Sequence, residues 1–365
     1  MGLRDEIREQ PAAATRQLES SEGALEAIAA RVRGEGITSV VIAARGTSDH
    51  AAIYGQYVLG VRNAMTVGLA TPSVVSLYGA DPVMRGSLVI GISQSGASPD
   101  IVAVLAAARH QGAPTLAITN DPRSALAQAA DQVVELAAGP EHAIAATKTY
   151  TTSLLALARL SVALGGTDSG ASLGTDPGAG AGATADPAAA LAAIPGAMQA
   201  ALATEKKIAA LAGELAGAEG SMDKAVIVGR GFEYATAREW ALKLKELAQS
   251  FADPYSAADF LHGPIALVQR GVPVFLLLPT GAAADGLEEV AETLQVLDAE
   301  LVIVSDDARL RALGRHAIAI PADIPEWLRP IVSIVPAQLF AYHVARVRGL
   351  DPDAPRYLRK VTRTL

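Results

Sequence analysis

The run Ser87-Leu-Val-Ile-Gly-Ile-Ser-Gln-Ser-Gly-Ala-Ser-Pro-Asp100 is apolar at first, turns hydroxyl-rich at Ser93 and then opens a helix. Leu88 to Ile92 is short, apolar and partly β-branched, as a strand buried on both faces of a parallel sheet should be. Ser98 stands at the expected N-cap, with Pro99 at the first helical position and Asp100 in the first turn. Ile101, Val104, Leu105 and Ala108 then follow the i, i+3, i+4, i+7 spacing of one buried face. Between strand and helix, Ser93, Gln94, Ser95 and Ser98 supply hydroxyls and an amide, and Gly96 lets the backbone approach a ligand closely. Amides at the positive helix end complete a cradle for anionic oxygens. The loop has neither the lysine and spacing of a nucleotide P-loop nor a GxGxxG fingerprint, which disfavours ATP and NAD and favours a small sugar phosphate. Taken alone, it also fits a serine-rich turn that binds nothing.

Outward from this unit the same layout recurs. Strand-like runs at 40–44, 65–69, 88–92, 115–119 and 132–136 alternate with helical ones, which predicts a doubly wound parallel α/β sheet with helices on both faces. Residues 165–186 lose all periodicity and are crowded with Gly, Ala, Ser, Thr and Asp, a linker composition. A helical stretch over 187–218 follows, and strands resume at 225–228, 272–278, 301–304 and 317–320. Val41-Ile-Ala-Ala-Arg-Gly46 lines up with Val226-Ile-Val-Gly-Arg-Gly231, so the chain holds two tandem domains of one design. After this shared Arg-Gly the first copy continues Thr47-Ser48 and the second Phe232-Glu233. Where the first has Ser93-Gln-Ser-Gly96, the second has Leu278-Pro-Thr-Gly281. Only the first crevice is therefore expected to take phosphate, the second being altered or empty. The boundaries expected are an N-terminal helical segment at 1–22, a first domain at 23–164, the linker at 165–186, a second domain at 187–349 and a tail at 350–365.

Composition narrows the function classes. The 365 residues are half hydrophobic, only 4% aromatic and carry a net charge of -8, which disfavours nucleic acid and anionic membranes as partners. The one basic concentration, Arg356 to Arg363, lies at the C-terminus. No cysteine is present, which excludes disulfides, thiolate zinc sites and cysteine nucleophiles within these residues. The N-terminus is too charged for a signal peptide and no apolar run reaches a membrane span, so a cytoplasmic protein is expected. His50, His110, His142, His316 and His343 show no ligand spacing, and neither a metal nor a cofactor is expected.

Six motifs in order carry a resemblance: Arg45-Gly-Thr-Ser48, Ser93-Gln-Ser-Gly96, Ala145-Ala-Thr-Lys-Thr149, Ala241-Leu-Lys-Leu-Lys-Glu246, Leu261-His-Gly-Pro264 and Pro355-Arg-Tyr-Leu-Arg-Lys360. Over nearly its whole length the chain resembles the double sugar-isomerase (SIS) domain proteins, with their flavodoxin-like domains. It is most similar to the isomerase part of glutamine:fructose-6-phosphate aminotransferase and to related aminosugar-phosphate deaminases. The resemblance implies phosphate contacts at Thr47, Ser48, Ser93, Gln94, Ser95 and Ser98. It implies a catalytic glutamate at Glu246, a ring-opening histidine at His262, a Schiff-base lysine at Lys360, a further site lysine at Lys243 and a substrate wall at Ala145 and Ala146. The aminotransferase pattern has Ser at the position of Ala146. The resemblance also implies a homodimer in which His262 serves the neighbouring subunit's site.

The chemistry asks for such groups. Ring opening needs a proton donor or acceptor that titrates near neutrality, which His262 supplies. Moving a proton between C1 and C2 needs one poised carboxylate, a task for Glu246 where burial raises it. Imine formation needs a neutral amine, for which Lys360 is the candidate beside Arg356, Arg359 and Arg363. Each residue also has a plainer reading. Glu239, Lys243, Lys245 and Glu246 fit an exposed ion-paired helix face, His262 fits a turn, and Lys360 fits a solvated tail. With neither a glutaminase domain nor its cysteine in this sequence, the expected reaction is deamination of a hexosamine 6-phosphate to a ketose 6-phosphate and ammonia. Phosphosugar isomerisation or deglycation of a sugar-amine phosphate stands beside it, and a non-catalytic sugar-phosphate sensor behind both.

Overall fold

A computed structural model describes residues 2–20, 22–166, 186–217 and 222–360. Of the linker only 165, 166 and 186 are among these, and the tail is described as far as Lys360. The chain forms two compact units, one of residues 12–141 and 148–192, the other of residues 1–11, 142–147 and 193–360. Among the described residues no single helix is long and apolar enough to cross a membrane.

The first unit is built on five parallel strands, β1 (Ser39–Ala43), β2 (Thr66–Leu69), β3 (Ser87–Ile92), β4 (Thr115–Thr119) and β5 (Gln132–Glu135), in the order β2-β1-β3-β4-β5. β3 and β4 are central and almost wholly buried, which is why they read as continuous apolar runs. Ile101, Val104, Leu105 and Ala108 of the helix Pro99–His110 pack with Val89 of β3 and Ala117 of β4, the buried face expected from their spacing.

The second unit repeats the design with β6 (Lys224–Gly229), β7 (Phe251–Ser256), β8 (Pro273–Leu277), β9 (Glu300–Ser305) and β10 (His316–Ala319), in the order β10-β9-β8-β6-β7. Numbered within the unit, this is again 2-1-3-4-5. The sequence reading missed β7. Its residues, Phe-Ala-Asp-Pro-Tyr-Ser, include a proline and expose Phe251 and Asp253, a pattern that argues against an interior strand. β7 is an edge strand, where proline is tolerated because one side of the ladder needs no donor.

The two faces of the second sheet bury different partners. Val226, Val228, Val274 and Leu276 point into a cluster with Phe260, Leu287 and Leu294. Phe275, one residue out of phase, faces the other way, as the two-residue strand period requires. There it meets Trp240 and Phe340 at centroid separations of 4.6 and 5.0 Å. Trp240 is fully buried, so this aromatic trio seats the helix Glu233–Ala248 on the sheet. The helical stretch ahead of β6 is three helices, Pro187–Ala192, Ile194–Leu202 and Glu205–Ala216, with Pro195 in the first turn of the second.

Candidate functional site

In a parallel sheet of order 2-1-3-4-5 the chain leaves β1 toward one edge and β3 toward the other. Their connections part at the carboxyl ends and leave a crevice there, the usual ligand position in such sheets. The pairing Ala43↔Gly91 brings those ends side by side. The residues after β1 include Thr47 and Ser48, and those after β3 are Ser93 to Ser98. The first unit thus gathers at one crevice all six residues to which the resemblance assigns phosphate. Ser93 is buried, and the other five are half-buried.

The loop after β3 is held by its own bonds. Ser93 Oγ accepts from the Gly96 amide at 3.2 Å, and the Gln94 carbonyl accepts from the Asn120 amide at 3.1 Å. Gly96 has φ +59°, and a Cβ there would fall 2.0 Å from Ser124 Oγ, so both conformation and space demand glycine. Ser98 occupies the N-cap position, yet its hydroxyl does not cap the helix. It lies instead 3.5 Å from Ser93 Oγ. This corrects the expected capping role and turns the hydroxyl toward the loop.

The second unit's equivalent crevice is filled by its own side chains. Glu233 stands where the first copy has Ser48, fully buried, with Ser333 Oγ donating to its carboxylate at 2.8 Å. Burial pushes its carboxyl up to about 6, against the lowering hydrogen bonds of Thr236 and Ser333. The loop after β8 gives its amides to carboxylates: Thr280 N donates to Asp306 Oδ1 at 2.7 Å and Ala282 N to Glu326 Oε2 at 3.1 Å. Arg329 neutralises Asp306 at 3.0 Å. This crevice, expected to be altered or empty, is altered and occupied, with carboxylates taking the amides a phosphate would need.

The helix Glu233–Ala248 brings together three charged side chains on one stripe. Lys243 and Glu239 are fully buried and Glu246 is partly exposed. Lys243 Nζ lies 3.3 Å from Glu239 Oε1 and donates a short hydrogen bond to Glu246 Oε2. Burial alone would push the ammonium down, but the two carboxylates outweigh it and hold Lys243 above the usual lysine range. The exposed-face reading fails here, because only Lys245 of the run lies open to solvent. Sequence reasoning offered Glu239 only as part of an ion-paired face, although its i, i+4 relation to Lys243 and i, i+7 relation to Glu246 already marked one stripe with them.

The remaining predicted residues sit on separate elements. His262 is exposed just past the helix Ala257–Leu261, its amide donating to the Asp259 carbonyl at 3.1 Å before Gly263 turns the chain at φ +142°. Lys360 is half-buried, three residues after Tyr357, over whose ring the Arg356 guanidinium lies at 4.8 Å. The tail is tied at Asp353, whose carboxylate accepts from the Leu3 amide at 2.6 Å. Ala145 is buried and Ala146 half-buried in the stretch 142–147, where the buried Glu6 carboxylate accepts from the His142 and Ala143 amides at 2.5 and 3.2 Å. His316 and His343 do pair with carboxylates, Glu300 at 2.7 Å and Glu205 at 3.2 Å, partners too distant in sequence for spacing to reveal. No group of three or more metal-ligating side chains occurs among the described residues.

Comparison with known proteins agrees with this layout. The SIS domain model matches twice, over residues 37–163 and 221–348. Glutamine–fructose-6-phosphate aminotransferase [isomerizing] of Pyrococcus horikoshii is 35% identical over 326 residues, covering 88% of this chain and 51% of that protein. The chain spans about half the length of the curated relatives it matches. A crystal structure from Silicibacter pomeroyi DSS-3, provisionally identified as a phosphosugar isomerase, superposes with a TM-score of 0.80 at 30% identity, covering 97% of this chain and all of that one. The C-terminal domain of glucosamine-fructose-6-phosphate aminotransferase from Francisella tularensis gives 0.82 at 25% identity, covering 96% and 98%. Two sheets of one topology, each coinciding with one match to the model, make this chain a member of the SIS domain family.

Proposed function

We propose that this chain is a phosphosugar isomerase that acts on a hexosamine 6-phosphate and deaminates it to a ketose 6-phosphate. The observation that carries the reading is the Glu239-Lys243-Glu246 stripe, in which the buried Lys243 holds the partly exposed Glu246. A sensor that only binds a sugar phosphate has no need of a partly exposed carboxylate held in place by a buried ammonium. The hydroxyl-lined crevice of the first unit supports the phosphate part of the reading. The aminosugar part is supported by relatives whose names couple fructose 6-phosphate to amino transfer with isomerisation.

In this mechanism His262 assists ring opening and Glu246 carries the proton between C1 and C2 through an enolamine. Lys243 remains an ammonium, which fits it to orient Glu246 and unfits it as an imine-forming amine. That role falls to Lys360. The Lys360 amine adds to the ketimine at C2 and expels ammonia, and water then hydrolyses the lysine imine to release the ketose and free Lys360, so hexosamine phosphate plus water balances ketose phosphate plus ammonia. The test is to incubate the purified protein with glucosamine 6-phosphate and quantify ammonia and fructose 6-phosphate. Equal yields of both support deamination. Aldose-ketose interconversion of hexose phosphates without ammonia would replace it with plain isomerisation, and binding without turnover of any of them would leave a sensor.

A further inference from the structure

The stretch that carries Ala145 and Ala146 is held by a carboxylate from 136 positions earlier in the sequence. Glu6 stands in the first turn of the helix Leu3–Glu19 and is completely buried. Its Oε1 accepts from the His142 amide at 2.5 Å and its Oε2 from the Ala143 amide at 3.2 Å. A carboxylate offers only acceptors, so its two oxygens satisfy two successive backbone amides at once. Burial alternates along the residues that follow: Ala143, Ala145 and Thr147 are buried, whereas Ile144 and Ala146 are half-buried. Which side chains the stretch presents therefore depends on where its first two residues are fixed.

Glu6 is itself fixed by the helix turns around it. The Leu3 amide donates to Asp353 Oδ1 at 2.6 Å, Arg4 Nε to Glu205 Oε1 at 2.7 Å and Gln10 Nε2 to Gln338 Oε1 at 2.8 Å. Leu3 and Ile7 are completely buried. The partners lie on the helices Glu205–Ala216 and Arg329–Val347 and in the tail, within the unit that also holds residues 142–147. A turn tied at so many points gives the carboxylate a defined position. The same turn holds the stretch 142–147 through Glu6 and, through Asp353, the segment that leads to Lys360.

We propose that Glu6 is a positioning residue that sets the substrate wall at Ala145 and Ala146 for the sugar. It acts through the backbone of His142 and Ala143 rather than on a reacting atom. The inference rests on the phosphosugar reading and adds to it a fixed point for the part of the site that meets the sugar rather than its phosphate. An amide in place of the carboxylate breaks the arrangement, because a glutamine side chain has one oxygen to accept and turns an NH2 toward the second backbone donor. The wall then shifts, while the phosphate cradle of the first unit keeps all its own groups.

Ligands with and without the sugar separate this role from a purely structural tie. Dissociation constants of inorganic phosphate and of glucosamine 6-phosphate would be measured by calorimetry for the wild type, Glu6→Gln and Glu6→Asp, with melting temperatures alongside. Glu6→Gln is expected to weaken glucosamine 6-phosphate about tenfold and to leave inorganic phosphate within about twofold. Glu6→Asp keeps both acceptor oxygens but draws them back by one methylene, and should weaken the sugar phosphate by less. A structural tie predicts instead a lower melting temperature with the two affinities unchanged or weakened alike. Either pattern in Glu6→Gln would overturn the inference. If Glu6→Gln does not fold, Glu6→Asp decides alone: weakening of the sugar phosphate alone by about threefold upholds the inference, and no selective change overturns it. A wild type that holds inorganic phosphate as tightly as the sugar phosphate has no wall contribution to set, and the inference fails while the phosphate cradle stands. Failure of the wild-type protein to bind either ligand would instead overturn the phosphosugar reading, and this inference with it.

Discussion

Glu239 Oε1 lies 3.3 Å from Lys243 Nζ, one helical turn apart, and neither side chain reaches solvent. An ion pair so placed exists only because each partner makes the other's burial tolerable. Removing Lys243 alone takes from the buried Glu239 carboxylate the ammonium that balances its charge. Lys243→Met is expected to cost about 3–5 kcal/mol in urea unfolding. Adding Glu239→Gln should return a large part of that stability while activity stays lost. Equal stability of Lys243→Met and the wild type would show that the pair does not hold the helix.

The buried Glu233 of the second crevice predicts a pH dependence with a definite sign. Its folded carboxyl titrates at about 6, above the ordinary carboxyl range. A group raised in the folded state contributes stability that is complete below the unfolded value and is lost as pH rises through the folded one. Between pH ~4.3 and ~6 the wild type should therefore lose on the order of 2 kcal/mol relative to Glu233→Gln. Chemical unfolding of both proteins across that window measures it. Parallel pH profiles would mean that Glu233 is not the source.

Gly96 turns the backbone of the loop after β3 at φ +59°. Gly96→Ala puts a methyl against the side chain of Ser124, whose hydroxyl caps the helix Ala125–Ala129 by accepting from the Ala127 amide at 3.3 Å. The combined strain and clash should cost about 1–3 kcal/mol and weaken phosphate binding. Ser124→Gly in the same chain removes the two nearest atoms, leaving Thr119 Oγ1 at 2.9 Å, and should restore part of the affinity. Wild-type affinity in Gly96→Ala would show that the loop adapts without help.

The sequence made the sheets legible because their strands are buried and parallel, so that apolar runs such as Leu88 to Ile92 and Leu301 to Val304 stand out without any alternation. It concealed β7, where edge position removes the burial signal and Pro254 mimics a breaker. The cradle was legible as well, since hydroxyls and glycine between a strand and a helix form a local pattern. The long-range pairs at the two crevices were not. Arg45 and Asp100 are 55 positions apart, and Ala282 and Glu326 are 44 apart. Only the parallel register of the sheets brings such residues into one crevice. Lys243 was ambiguous for a different reason: i, i+3 and i, i+4 charges look alike on a solvated face and in a core. The deciding fact is burial, which Trp240 enforces by packing on Phe275 and Phe340.

Glu246 is the residue on which the proposed chemistry turns, and Glu246→Gln keeps its size and hydrogen-bonding oxygen while removing the base. The most direct test measures, for this variant and the wild type, the dissociation constant of glucosamine 6-phosphate and the rate of ammonia release at saturation. The account predicts a dissociation constant within about threefold of the wild type and a rate lower by about 10²–10⁴-fold. Ammonia release by Glu246→Gln at the wild-type rate, or a loss of binding as large as the loss of rate, would contradict it.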